Sequence, residues 1–153
     1  MARVILFLVM IISGSIVAQQ NNAQEEVKTT IETFFEGFHK GDTTLMKSVM
    51  TDKLITQTAF KNKEGKDILV TEEASKLIKA VATRLADQKW EERLLDFKIQ
   101  VDGNMANAWV PYAFWFNDAF SHCGVNSFQL FHDNGQWKIT YLIDTRRKED
   151  CQD

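Results

Sequence analysis

From Trp90 to Arg146 the hydrophobic period of the chain changes from helical to two, and this change limits the fold more than any other feature. In "ERLLDFKIQV", Leu95, Phe97, Ile99 and Val101 alternate with Asp96, Lys98 and Gln100. Successive side chains of a strand point to opposite faces of a sheet, so this pattern marks a strand with one buried face. The turn signals "DGN", "ND" and "DNG" then separate three more segments: "MANAWVPYAFWF", "AFSHCGVNSFQLFH" and "QWKITYLIDTRR". Asn, Asp and Gly tolerate the positive φ angles that tight hairpins require. The pattern predicts a meander of four antiparallel strands.

The preceding segments are mainly helical. In "EEVKTTIETFFEGFHKGD", Val27, Ile31, Phe34, Phe35 and Phe38 share one helix face, and Glu25 and Glu26 sit where the helix dipole favours acids. Gly41 suits a left-handed helix end, and Asp42 can cap a second helix carrying Leu45, Met46, Val49 and Met50. "DKLITQTAF" reads as a strand and "KNKEGKD" as a charged turn. Thr71 is then the expected cap of a third helix whose stripe is Ala74, Leu77, Ile78, Val81 and Leu85.

The N-terminus is a different kind of segment. Arg3 is the only charge before residue 19, and "VILFLVMII" (residues 4–12) has the length of a signal-peptide apolar core, too short to span a bilayer. "SGSIVA" follows and ends at Ala18. The resulting division is a signal peptide (1–18), a flexible mature N-terminus (19–24), one domain (25–148) and a tail (149–153). The expected location is outside the cytoplasm, periplasmic or secreted, with no membrane attachment after cleavage. A chain of 153 residues, 44% hydrophobic and 25% charged, suits a single core. Net charge −3 and the absence of any basic cluster larger than "TRRK" exclude a nucleic-acid footprint. In an oxidising compartment Cys123 and Cys151 can form one bridge; the alternative is a buried thiol at Cys123 and an exposed one at Cys151. No CxxC or HxxxH spacing occurs, so neither a metal nor a cofactor is expected.

The turns also suggest a register. With Asn117 and Asp118 as a two-residue turn, Phe116 faces Ala119, Ala113 faces His122, Tyr112 faces Cys123 and Trp109 faces Asn126. With "DNG" as a three-residue turn, Phe131 faces Trp137, Gly124 faces Asp144 and His122 faces Arg146. One face then collects Trp109, Trp115, His122, Asn126, Phe128, Asp144 and Arg146. The other collects Val110, Tyr112, Phe114, Val125, Phe131, Trp137, Ile139, Tyr141 and Ile143. The first face has the make-up of a small-molecule pocket, apolar walls with a few convergent polar groups. In it His122 and Asp144 are candidates for a base and its orienting carboxylate. The competing reading is a solvated rim or a structural ion-pair cluster. Pro111 lacks a ladder donor and implies an edge, a bulge or a bend, and Tyr112 beside it joins the ligand-pocket candidates.

Three stretches, "VKTTIETFFEGFHKGDTTLMKSVM", "NAWVPYAFWFNDAFSHCGVNSFQL" and "NGQWKITYLIDTRR", taken in this order, resemble the nuclear transport factor 2-like superfamily. The likeness is greatest to its exported bacterial SnoaL-like and lumazine-binding-like groups. It implies an α+β cone in which three N-terminal helices pack on a curved, mostly antiparallel sheet and leave a pocket at the open end. It also implies a homodimer through the outer sheet face. Members of the superfamily include lyases, isomerases and hydrolases that use an Asp, or a His with an Asp, inside the cone, and others that bind ligands without catalysis. His122 and Asp144 are the counterparts by position. The expected partner is a small apolar or aromatic molecule.

Overall fold

The computed structural model describes the backbone of residues 2–151 and the side chains of residues 21–151. The signal segment expected at residues 1–18 falls outside the residues whose side chains are described. The elements run α1 (Ala2–Lys40), α2 (Thr43–Ser48), β1 (Met50–Lys61), β2 (Asp67–Glu73), α3 (Ala74–Thr83), β3 (Trp90–Leu94), β4 (Lys98–Asp102), β5 (Met105–Phe116), β6 (Ala119–Asp133) and β7 (Gln136–Arg146). They form an α+β fold, with helices against the inner face of a curved, mostly antiparallel sheet.

The sheet order is β2-β1-β7-β6-β5-β3, with β4 also paired to β5. One ladder is parallel, β1 on β7. The meander is therefore extended at one side by β1 and β2. Thr71, the expected cap of the third helix, instead pairs with Gln57 inside the β1–β2 ladder. Edge hydrogen bonding to β1 wins over capping there, and α3 begins only at Ala74 with no side-chain cap. It also ends at Thr83, which leaves Leu85 outside the stripe and 63% exposed.

The turns fall where expected. Asn117 and Asp118 both have positive φ (50° and 63°), the mark of a type I′ hairpin. Asn134 and Gly135 do the same (48° and 85°), which makes the third turn two residues long instead of three. Asp42 Oδ1 accepts the N–H groups of Thr44 and Leu45 at 3.0 and 2.9 Å and starts α2. Pro111 lies at the point where the partner of β5 changes from β4 to β3. Its carbonyl accepts Leu95 N at 2.9 Å, so the missing donor falls at that break in the ladder.

The expected strand register does not hold. Phe116 faces Ala119, but Trp115 faces Phe120 and Phe114 faces His122, so Ser121 is an extra residue in β6. Beyond this bulge Ala113 faces Cys123, Tyr112 faces Gly124, and Val110 rather than Trp109 faces Asn126. A second irregularity between Gln129 and Leu130 leaves Thr140 as an extra residue in β7. Asp144 consequently faces Asn126, not Gly124, and Trp137 faces His132, not Phe131. Cys123, not His122, comes opposite the end of β7, bridging to Arg147. One inserted residue moves every later side chain to the other face, which is why the two predicted faces are mixed.

The core lies between α1 and the inner face. Val27, Ile31, Phe34, Phe35 and Phe38 of α1 are buried against Ala106, Ala108, Val110, Phe128, Leu130 and Ile139. The helix also includes residues 21–24, read from sequence as flexible. Ala23 packs on the core and Gln24 Nε2 donates to Ile99 O at 3.0 Å, which ties this turn down. Behind the sheet a Cys123–Cys151 disulfide, with Cα atoms 5.8 Å apart, fastens the tail to β6.

Candidate functional site

Beyond the packed part of the core, α1 and α3 diverge from the sheet and leave a cavity of about 390 Å³. Phe34 and Phe38 of α1, Trp90 of β3 and Phe114 of β5 are its aromatic walls, and Leu77 of α3 and Leu142 of β7 add aliphatic surface. Five strands contribute Thr58, Glu92, Tyr112, His122 and Asn126, Asp144 and Arg146 to its polar lining, and Thr56, Glu72 of β2 and Lys76 of α3 add to it. Such a mixture of apolar walls and few polar groups is characteristic of small-molecule sites.

Three of these residues come together because of the Ser121 bulge. Tyr112 and His122, assigned to opposite faces by simple alternation, both line the cavity, with ring centroids 5.8 Å apart. The Phe114 and His122 rings are 5.0 Å apart. The Thr140 irregularity does the same in β7, putting Trp137 and Ile139 in the core and Asp144 and Arg146 in the cavity.

The candidate ligand residues divide into two groups. Tyr112, Asn126 and Arg146 line the cavity together with His122 and Asp144. Trp109, Trp115 and Phe128 do not. Trp109 is 48% exposed on the outer face. Trp115 lies under the Arg93 guanidinium, 4.4 Å from the ring centroid, and against Phe120. Phe128 faces inward but is fully buried against Phe35.

Asp144 is held by three donors. Thr58 Oγ1 donates to Oδ1 at 2.7 Å, and Tyr112 OH and Arg146 Nε reach Oδ2 at 3.2 and 2.7 Å. The Tyr112 hydroxyl also lies 3.0 Å from the carbonyl of Thr145. Gly124 permits this approach, because a Cβ there would stand 1.7 Å from Thr145 O and 2.9 Å from the Tyr112 ring. Burial, reinforced by the nearby Glu92 and Asp144 carboxylates, raises the pKa of the Tyr112 hydroxyl.

No hydrogen bond joins His122 to Asp144 among the described residues, so the expected dyad is absent. The His122 Nδ1 atom lies 3.0 Å from Ser121 Oγ instead. Burial and the Arg146 guanidinium lower its pKa to about 4, so the ring is neutral near pH 7.

Sequence reading missed Glu92. It lies on β3 two residues from Trp90 and two from Leu94, and therefore on the same inward face. Its Oε1 accepts the Asn126 side-chain amide at 2.6 Å, and its backbone N–H donates to His39 Nε2 at 2.9 Å. Among the described residues no hydrogen bond reaches Oε2 and no cation pairs with the carboxylate. Burial pushes the Glu92 carboxyl up to about 7, Asp144 adds to the rise, and Asn126 and Arg146 oppose it. A carboxyl of this kind can exchange a proton near neutrality. The available signal was the spacing Trp90-x-Glu92-x-Leu94, an acid between two apolar residues of one face. Among the described residues no group of three or more His, Cys, Asp or Glu side chains could hold a metal ion.

A family model described as putative lumazine-binding matches residues 22–141. No curated protein matches the sequence. Several solved structures share the fold at low identity. A nuclear transport factor 2-like protein of unknown function from Shewanella baltica is 15% identical, with a TM-score of 0.61 over 84% of this chain and 96% of that one. The beta subunit of a putative aromatic-ring-hydroxylating dioxygenase from Novosphingobium aromaticivorans is 15% identical, with a TM-score of 0.67 over 86% and 92%. A putative dehydratase of the nuclear transport factor 2-like family from Streptomyces avermitilis is 14% identical, with a TM-score of 0.64 over 83% and 97%.

Proposed function

The chain belongs to the putative lumazine-binding family, within the nuclear transport factor 2-like superfamily, and from this membership and the cavity we propose that it is an exported protein that binds a small, flat, partly apolar molecule. The cavity carries the reading: about 390 Å³, with aromatic walls and the Glu92–Asn126 pair as its polar anchor. Export is supported by the apolar run at residues 4–12 and by the Cys123–Cys151 bridge, which suits an oxidising compartment. Trp90 in the cavity wall provides the assay. Titration with lumazine and a panel of flat aromatic compounds should give saturable quenching of tryptophan fluorescence, lost in Phe114→Ala. A panel without a single saturating compound, tested on a folded protein, would reject this function.

Acid–base catalysis by His122 and Asp144 has less support. The aspartate is already committed to Thr58, Tyr112 and Arg146, and the imidazole is neutral and turned to Ser121. If the site performs proton transfer, Glu92 is the group suited to it.

Self-association is supported by a separate observation. Met105, Trp109 and Phe131 are exposed on β5 and β6 (54%, 48% and 42%), and Met105 and Phe131 are direct cross-strand partners. An apolar patch on an outer sheet face is a common interface between copies. Sedimentation of the mature protein tests it: Trp109→Lys should shift a dimer towards monomer, and a monomeric wild type at high concentration rejects it.

A further inference from the structure

The charges inside the cavity do not balance. Asp144 and Arg146 pair with each other at 2.7 Å. At the rim Glu72 and Lys76 pair at 3.1 Å. His122 is neutral near pH 7, and His39 accepts a hydrogen bond from the backbone N–H of Glu92, so neither ring supplies a cation. Of the groups around Glu92, Asn126 offers a neutral amide, Tyr112 a hydroxyl already engaged by Asp144 and Thr145, and Arg146 a guanidinium already taken by Asp144. Ionised Glu92 is therefore the one cavity carboxylate with no cationic partner among the described residues. A desolvated carboxylate strongly favours an opposite charge within reach.

The surroundings suit such a charge. Phe34, Phe38 and Phe114 line the same cavity, and aromatic faces attract organic cations. We infer that the cavity selects a small organic cation, a flat amidinium or protonated nitrogen heteroaromatic, which places its N–H donors on the open oxygen of Glu92 and its ring among Phe34, Phe38 and Phe114. This inference rests on the small-molecule reading above and narrows it to a charge and a hydrogen-bond pattern.

Uptake of the cation carries a linked proton. Glu92 holds a proton up to about pH 7, and a cation beside it favours the ionised form. Binding therefore releases a proton, and affinity rises as pH rises through neutrality.

Benzamidine and its neutral isostere benzamide are the test pair, titrated calorimetrically at pH 5.5 and pH 8.5 into the wild-type protein and Glu92→Gln. At pH 8.5 wild type should bind benzamidine at least about tenfold more tightly than benzamide, and this preference should shrink by about tenfold or more at pH 5.5. Glu92→Gln, with an unchanged circular dichroism spectrum, should lose both the preference and its pH dependence. Should that variant fail to fold, titrating the wild type at pH 6.5 in two buffers of different ionisation enthalpy still reads the released proton, because free Glu92 is largely protonated there. Equal affinity for the two compounds, or no proton release, overturns the cation inference and leaves the small-molecule reading standing. If neither compound binds and the aromatic panel also fails, both fall.

Discussion

The side-chain amide of Asn126 on β6 reaches across β5 and donates to Glu92 Oε1 on β3 at 2.6 Å. Two residues on strands that do not touch are thus joined over the floor of the cavity. The bond holds down the pKa of a carboxyl that burial pushes up.

Asn126→Ala should therefore raise the Glu92 pKa further and weaken the fold above neutrality. A hydrogen bond to a charged group contributes about 1.5–3 kcal/mol, and the loss should be largest where Glu92 is ionised. Carboxyl NMR titration reads the first effect, and urea melts at pH 6 and pH 8.5 read the second. An unchanged Glu92 titration would show that the bond has no influence on the carboxyl.

The stability of the wild type should carry two opposing pH slopes. Glu92 rises from its ordinary 4.5 to about 7 on folding, so the folded state holds the proton more firmly. Its stabilising effect is complete below about pH 4.5 and is lost as pH rises through 7, by at most roughly 3 kcal/mol. His122 falls from 6.5 to about 4, so its effect is present above pH 6.5 and is lost as pH falls through 4. Glu92→Gln should expose the histidine slope, with stability rising from pH 4 to 6.5 and no decline towards pH 8. Chemical denaturation across pH 4–8 measures both, and an identical profile in the variant would contradict the assignment.

Gly124→Ala should be among the most damaging single-methyl additions in the chain. The new Cβ would overlap the Thr145 carbonyl at 1.7 Å, and that oxygen belongs to backbone and cannot swing away. Overpacking commonly costs about 1–3 kcal/mol, and a clash with backbone should reach or exceed the upper end. A thermal melt of the variant that matched wild type would refute the close approach.

Cys151→Ser should lower stability by about 2–4 kcal/mol, the usual range for loss of a native disulfide. The bridge spans 28 residues and is the covalent tie between the tail and β6. Wild type in reductant should melt where the variant melts, and a variant insensitive to reductant but as stable as oxidised wild type would show that the bridge is thermodynamically idle.

Much of the architecture is legible in local sequence. The helical stripe from Val27 to Phe38 is buried as its spacing requires, and Asp42 caps α2. The hairpin at Asn117 and Asp118 sits where two residues tolerant of positive φ adjoin. Each depends on neighbours within a few positions, so a period or a cap can be read directly. Of the seven residues that alternation places on the pocket face, His122, Asn126, Asp144 and Arg146 line the cavity as expected, whereas Phe128 is buried in the core. Trp109 and Trp115 do not line it.

The rest depends on contacts distant in sequence. Ser121 and Thr140 look like ordinary strand residues, and nothing local marks them as extra. Only the pairing with β5 on one side and β6 on the other makes them bulges, and they decide which aromatics face inward. Glu92 is set apart from the other acid of "WEERL" by Asn126, 34 positions away. The chain by itself determined most of its helices and long strands, the places of its turns and the apolar face of its first helix, because these arise from short-range sterics and periodicity; β2 and the break between β3 and β4 were not legible there. Tertiary structure alone decided the register, the membership of the cavity and the environment of the Glu92 carboxylate, because strand pairing and burial are set by partners far along the chain.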